Sequence, residues 1–191
     1  MPRLVLLATA LLAVQAPAAL TLEIRTFDGR ADVTHETRVT VHRAGDRGGP
    51  VGRVNGAAEP PLFQVPPGIY DAQAIQERQG RVVNLRWAER LVVMPYPDEG
   101  GHHLQVINLQ DDYGALQIRR ASGDAWAGQL ALFRANDRAT PEPPAGIAGR
   151  TYVLFVVPAG TYDLRVGQGA AAAWHTGLEV PRNRTRLWIV P

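Results

Sequence analysis

One short stretch of the chain mixes carboxylates and imidazoles closely enough for metal chemistry. Residues 98–103 read Asp-Glu-Gly-Gly-His-His, and acids and histidines are the side chains that hold catalytic zinc. Adjacent residues of a strand point to opposite faces, so His102 and His103 cannot easily share one ion. We therefore interpret the stretch as a solvated hairpin, and we expect no metal and no other cofactor.

Nucleophilic catalysis finds little support elsewhere in the sequence. The chain contains no cysteine and no lysine, which excludes thiolate nucleophiles and Schiff-base chemistry. Its only serine, Ser122, precedes a turn glycine where the first half of the chain has Asp28, and a position that accepts Ser or Asp is typical of backbone capping. The five histidines include no His-x-x-x-His or His-Glu-x-x-His spacing. We predict no catalytic residue and expect the protein not to be an enzyme.

The best candidates for ligand contact are therefore residues in the loops that differ between the two halves of the chain. Trp126 lies between small and polar neighbours, which could present its ring as a platform for a sugar or fold it over a sandwich edge as a staple. Tyr96, His102 and His103 belong to the other loop that differs between the two halves of the chain. These four residues are the candidate ligand-binding positions.

The elements that must position these loops occur twice in the sequence. Four blocks recur in the same order with offsets of about 90 residues, which indicates a duplicated domain and not a short solenoid repeat. Each second block repeats the strand and turn pattern of the first. The paired blocks are 22–29 with 116–123, 39–46 with 130–137, 62–71 with 154–163, and 87–93 with 174–180.

Apolar residues inside these blocks recur at every second position, as in a strand, and not every 3.6 residues, as in a helix. In Leu22-Glu23-Ile24-Arg25, apolar and charged residues alternate, as in a strand with one buried face. Many short strands separated by Gly and Pro predict an all-β chain of two tandem antiparallel Greek-key β-sandwich domains, covering residues 20–110 and 111–191. Trp87 and Trp174 recur at equivalent positions, and we expect both in the cores.

A Pro-x-Gly-x-Tyr-Asp box begins one strand in each unit. Proline and glycine suit the turn, and Tyr70 and Tyr162 fall on the inward parity of the strand that follows. With the strands around it, the box at 65–74 and 157–166 resembles the carboxypeptidase regulatory-like, transthyretin-like (prealbumin) family of β-sandwiches. That resemblance implies a sandwich of seven or so strands, immunoglobulin-like in architecture, which serves as a non-catalytic accessory module. The fold group also contains carbohydrate-binding domains.

The ends and charges of the chain bear on its compartment. Residues 1–19 combine a positive start, an apolar core at 4–14 and a small-x-small cleavage signal, which predicts a cleaved signal peptide and a periplasmic or extracellular protein. The apolar stretch is shorter than the roughly 20 residues of a membrane span. A net charge of +2 without clustered basic residues argues against nucleic acid.

These observations favour an exported, non-catalytic binding or accessory protein of tandem sandwiches that contacts a protein partner. A carbohydrate-binding module pair using Trp126 is the alternative. A metal-dependent hydrolase using the loop at 98–103 is less favoured.

Overall fold

The structure is a computed structural model, and it describes residues 18–56, 61–95, 101–126, 129–145 and 151–191. The predicted signal segment up to residue 17, Tyr96, and residues 98–100 of the mixed loop lie outside the described residues. Fifteen strands and two short 3₁₀ turns make up the regular structure of the described part, which confirms the all-β prediction. No helix in these ranges is long and apolar enough to cross a membrane.

The first eight strands form one β-sandwich. They are β1 (Leu20–Asp28), β2 (Ala31–Asp32), β3 (Thr37–Arg43), β4 (Pro50–Val54), β5 (Leu62–Val65), β6 (Gly68–Arg78), β7 (Arg81–Val93) and β8 (His102–Asn108). One sheet has the order β5-β1-β8, with β2 also on β1, and the other has the order β4-β3-β6-β7. Alternate residues such as Leu22, Val41 and Ala72 point between the sheets and form the core.

The second sandwich repeats this strand order without β2. Its strands are β9 (Tyr113–Arg120), β10 (Leu130–Arg134), β11 (Asp137–Glu142), β12 (Tyr152–Pro158), β13 (Gly160–Val166), β14 (Ala173–Val180) and β15 (Thr185–Val190). The sheets are β12-β9-β15 and β11-β10-β13-β14. Each duplicated block therefore corresponds to a pair of equivalent strands. The pairs are β1 with β9, β3 with β10, β5 with β12, β6 with β13, and β7 with β14.

One strand pair in each sandwich is parallel, while all other pairs in the described part are antiparallel. The last strand of each sandwich pairs in parallel with its first strand, β8 with β1 and β15 with β9. Parallel neighbours cannot be joined by a tight hairpin. Here the strands of the opposite sheet lie between them along the chain and make the connection, from β1 to β8 and from β9 to β15.

The proline-glycine-tyrosine box has the predicted geometry in both sandwiches. Tyr70 and Tyr162 are fully buried in the two cores. The hydroxyl of Tyr70 donates to the carbonyl of Pro66 at 2.6 Å, and that of Tyr162 donates to the carbonyl of Pro158 at 2.5 Å. Burial raises the pKa of Tyr162, so its hydroxyl stays protonated and remains a donor.

The core positions predicted for Trp87 and Trp174 are wrong. Both rings lie on the outer face of their sheet, and neither belongs to a core cluster. A bulge after each tryptophan shifts the strand by one residue, so Leu91 and Leu178 face the core although Trp87 and Trp174 face away from it.

The two sandwiches pack together through their sheets β5-β1-β8 and β12-β9-β15, which we call the inner sheets. A third apolar cluster joins them, and it draws on β1, β8, β9 and β12. Its members are Phe27, Leu104, Val106, Ala115, Tyr152, Leu154 and Val156. The predicted domain boundary at residues 110 and 111 falls in the turn between β8 and β9, and the division into two domains remains a prediction.

The buried tyrosines make a stability prediction. Tyr162→Ala should lower the free energy of unfolding by about 3 to 5 kcal/mol, because it leaves a cavity in the core. Tyr162→Phe keeps the ring and loses one hydrogen bond, so it should cost only about 1 kcal/mol. The same pair of changes at Tyr70 should give the same order. Urea unfolding measures all four variants, and a Tyr→Ala variant as stable as its Tyr→Phe counterpart would contradict the core assignment.

Candidate functional site

The structure separates the two histidines of the candidate metal loop. His102 and His103 point to opposite faces of β8, as the strand geometry predicts. His102 Nε2 lies 2.9 Å from Glu23 Oε2 at the junction of the sandwiches, whereas His103 is buried and lines a neighbouring cleft. Within the described residues, no three His, Asp or Glu side chains are grouped to hold a metal ion.

Glu23 is the centre of a buried polar cluster between the inner sheets. Its side chain is 1% exposed, and its Oε1 accepts hydrogen bonds from Arg25 Nε at 2.7 Å and from the Tyr152 hydroxyl at 3.1 Å. Arg25 also donates to Asp32 at 3.2 Å. Burial alone would lower the pKa of Arg25, but the hydrogen bond and charge of Glu23 raise it above its ordinary value. The cluster is a paired, structural one that ties β1 to β12.

Trp126 is less exposed than its neighbours in the sequence suggest. Its ring is half-buried and packs against the core of the second sandwich, and the guanidinium of Arg120 lies 4.8 Å from the ring centroid. Of the two arrangements that the sequence allowed for Trp126, a platform for a sugar or a staple over the sandwich edge, this packing corresponds to the staple. A role of Trp126 in sugar binding stays a prediction.

A strip of exposed apolar residues runs along the outer face of β7. Val82, Leu85, Trp87 and Val92 lie on this face, opposite the core side of the sheet, and we call them the β7 stripe. Leu85 is 52% exposed, and Val82 and Val92 are comparably open. Sequence reasoning missed this surface because it assigned Trp87 to the core and gave no role to Val82, Leu85 and Val92.

The tryptophan of the stripe is covered on one side by an arginine, and the second sandwich repeats the pair. The Arg47 guanidinium lies 4.2 Å from the Trp87 ring centroid, and that of Arg138 lies 4.2 Å from the Trp174 ring centroid. Cation–π attraction holds each arginine over its ring. The covered face of each ring is therefore closed to stacking by a further group.

A buried aspartate fixes the loop that carries Arg47. Asp71 accepts the backbone N–H of Gly45 at 3.2 Å and of Arg90 at 2.9 Å, so it joins the turn after β3 to the bulge of β7. Asp163 is the equivalent residue, and it binds the side chain of Arg138 and the backbone N–H of Gly177. The box aspartates therefore cap the corner between neighbouring strands in both sandwiches.

No protein family and no curated protein matches the sequence. Among solved structures, the chain is similar to the TIE protein of Bacillus anthracis at 17% identity and a TM-score of 0.33, covering 91% of this chain and 34% of that one. A tip fimbrial protein from Porphyromonas gingivalis is similar at 11% identity and a TM-score of 0.32, with 90% and 94% covered. A minor pilin from Streptococcus agalactiae is similar at 13% identity and a TM-score of 0.31, again with 90% and 94% covered. The chain thus spans about a third of the Bacillus protein, and likenesses this remote assign it to none of these families.

Asp71 makes the stability of the first sandwich depend on pH. Burial alone would raise its pKa, but the N–H groups of Arg90 and Gly45 together with the charge of Arg47 hold the pKa below the ordinary value. Because the folded pKa is the lower one, this stabilisation is complete above about pH 5 and is lost as the pH falls below about 4.

Asp71→Asn should therefore cost about 1.5 to 3 kcal/mol near neutral pH, as the loss of hydrogen bonds to a charged group does. Its penalty should shrink as the pH is lowered from neutral toward about 2 and the wild-type carboxylate itself takes up a proton. Urea unfolding across this pH range measures the difference. A penalty that is constant with pH would show that the charge of Asp71 does not contribute.

Proposed function

We propose that this chain is an exported, non-catalytic binding or accessory protein that contacts a protein partner in the periplasm or at the cell surface. The observation that carries the proposal is the β7 stripe, an apolar surface that the described part of the chain leaves exposed. Contiguous exposed apolar residues of this kind mark interaction sites. The adjoining Trp87 and Arg47 are of the residue types that contribute most to protein interfaces.

The position of β7 in its sheet supports a partner that contributes an extended segment. Among the described strands, β7 pairs only with β6, so the backbone groups along its other edge are open to a further strand. Strand addition uses these backbone groups for affinity and the neighbouring side chains for specificity. The bulges near Val83 and Arg90 interrupt the edge, so the partner strand fits best between them.

The resemblance to the carboxypeptidase regulatory-like, transthyretin-like family supports an accessory role. In the described part of the chain each sandwich has seven strands, with β2 additional in the first, and the resemblance implies seven or so. The export pattern of residues 1–19 supports a location outside the cytoplasm.

Site-specific photo-crosslinking tests the proposed surface. A photoreactive residue replaces Leu85 in the exporting bacterium, and the matched control replaces Leu62, which is 53% exposed on β5 and lies away from the stripe. We expect one discrete protein adduct from position 85 and none from position 62. Mass spectrometry of the adduct then identifies the partner for binding measurements with purified proteins.

With the purified partner, Trp87→Ala should weaken binding by about tenfold or more, because tryptophan truncation at an interface costs more than about 1 kcal/mol. Trp126→Ala is the comparison variant on the other sandwich and should leave this binding unchanged. Equal adducts from positions 85 and 62, or none from either, would overturn the proposal. An adduct whose mass is twice that of the chain would make a second copy the partner.

The non-catalytic part of the proposal has a separate test. Purified protein should turn over no chromogenic ester, peptide or glycoside substrate, with or without added zinc, because the chain has no cysteine or lysine nucleophile and its described histidines and acids form no group of three that could hold a metal ion. Turnover that is abolished by His102→Ala or His103→Ala would make the protein an enzyme. The same preparation, screened against soluble polysaccharides, tests the carbohydrate alternative through Trp126→Ala.

A further inference from the structure

A cleft of about 380 Å³ opens where the bulge of β7 meets the other sandwich. Its walls come from β1, β7 and β8 of the first sandwich and from β9 and the start of β15 of the second. The apolar part of the wall consists of leucines and valines: Leu91 and Val93 belong to the edge of the first core, whereas Val92 and Leu187 are more exposed. The volume suits a small ligand.

The charged residues of the cleft all have the same sign. Arg90 and Arg184 line it, and none of its lining residues is acidic. Within the described part of the chain, neither arginine is paired with a carboxylate. One nitrogen of Arg184 donates to the backbone carbonyl of Glu89 at 2.7 Å, which holds its guanidinium beside the bulge and leaves the remaining N–H groups of the fork for another acceptor.

The backbone at Arg90 gives a second, independent reason to assign this arginine a function. Arg90 has a φ of 55°, in the left-handed region that disfavours residues with a side chain. The equivalent residue of the second sandwich is Gly177, with a φ of 73°, which is the residue type that adopts this conformation without strain. Strained positions kept by a non-glycine residue cluster at binding sites. The first sandwich thus retains a side chain at a position where the fold itself favours glycine.

We propose that the cleft binds a carboxylate that carries a short apolar body, with Arg90 and Arg184 holding the carboxylate and the leucine and valine wall covering the body. The planar guanidinium fork matches a carboxylate with paired hydrogen bonds. Gln117, Thr185 and the buried His103 supply further polar groups along the wall. Such a ligand is either a free small carboxylate or the C-terminal carboxylate of a peptide.

Isothermal titration of the whole purified chain tests the proposal with hexanoate, 1-hexanol and inorganic phosphate as probes. Hexanoate should bind, and hexanol and phosphate should each bind at least about tenfold more weakly. Hexanol lacks the carboxylate, and phosphate lacks the apolar body. A hexapeptide with an apolar C-terminal residue, compared with its amidated form, separates the two sources. Preference for the free acid assigns the carboxylate to a peptide terminus, and binding of hexanoate alone assigns it to a free small acid.

The decisive variant is Arg90→Gly, which removes the guanidinium and at the same time relieves the strained backbone. It should fold at least as stably as the wild type and bind hexanoate about tenfold more weakly or worse. Arg53→Gln, which removes an exposed arginine from β4, is the control and should bind like the wild type. Wild-type affinity in Arg90→Gly, an equal loss in Arg53→Gln, or hexanol bound as tightly as hexanoate would each overturn the proposal.

Discussion

The rest of the structure depends on the burial of both faces of β1. One face, with Leu22 and Ile24, contributes to the core of the first sandwich, and the other, with Glu23 and Phe27, packs toward the second sandwich. Inner sheets that are covered on both sides can bury charged residues only in pairs, because an unpaired ion there would cost several kcal/mol. The contacts of Glu23 with Arg25 and Tyr152 meet this requirement, and the hydrogen bond from Tyr152 joins β1 to β12 across the junction of the sandwiches.

The duplication separates what the fold needs from what one copy adds. Both copies keep a buried tyrosine, a buried aspartate and a tryptophan under an arginine, so these features belong to the architecture of the sandwich. The copies differ where the first has Arg90 and the second has Gly177. They also differ in the equivalent edge strands β7 and β14. The longer β7 exposes the apolar side chains of its stripe, whereas the shorter β14 exposes Trp174. The first sandwich therefore carries most of the candidate binding surface.

The amino-acid pattern was sufficient for the strands and the turn box, and it failed where a bulge intervened. Alternation predicted β1, and the proline-glycine turn predicted the burial of Tyr70 and its equivalent. Alternation of apolar and polar residues shows which side chains share a face of a strand. The bulge at Glu89 and Arg90 inserts one extra residue, so Trp87 and Leu91 lie on opposite faces although they are four residues apart. A positive φ at an arginine leaves no mark in the sequence except the glycine at the duplicate position. The cleft could not be foreseen either, because its two arginines are more than 90 residues apart and meet only when the sandwiches pack.

The parallel pairing of the first and last strands of each sandwich has a mechanical consequence. Because β1 and β8 run in the same direction, the N-terminal end of one and the C-terminal end of the other lie at opposite ends of their shared ladder, as they do for β9 and β15. Tension along the chain would pull these strands past each other and load the ladder hydrogen bonds together in shear, whereas peeling would break them one at a time. Two such shear-loaded ladders lie in series along the chain, so resistance to pulling is built into the topology of both sandwiches.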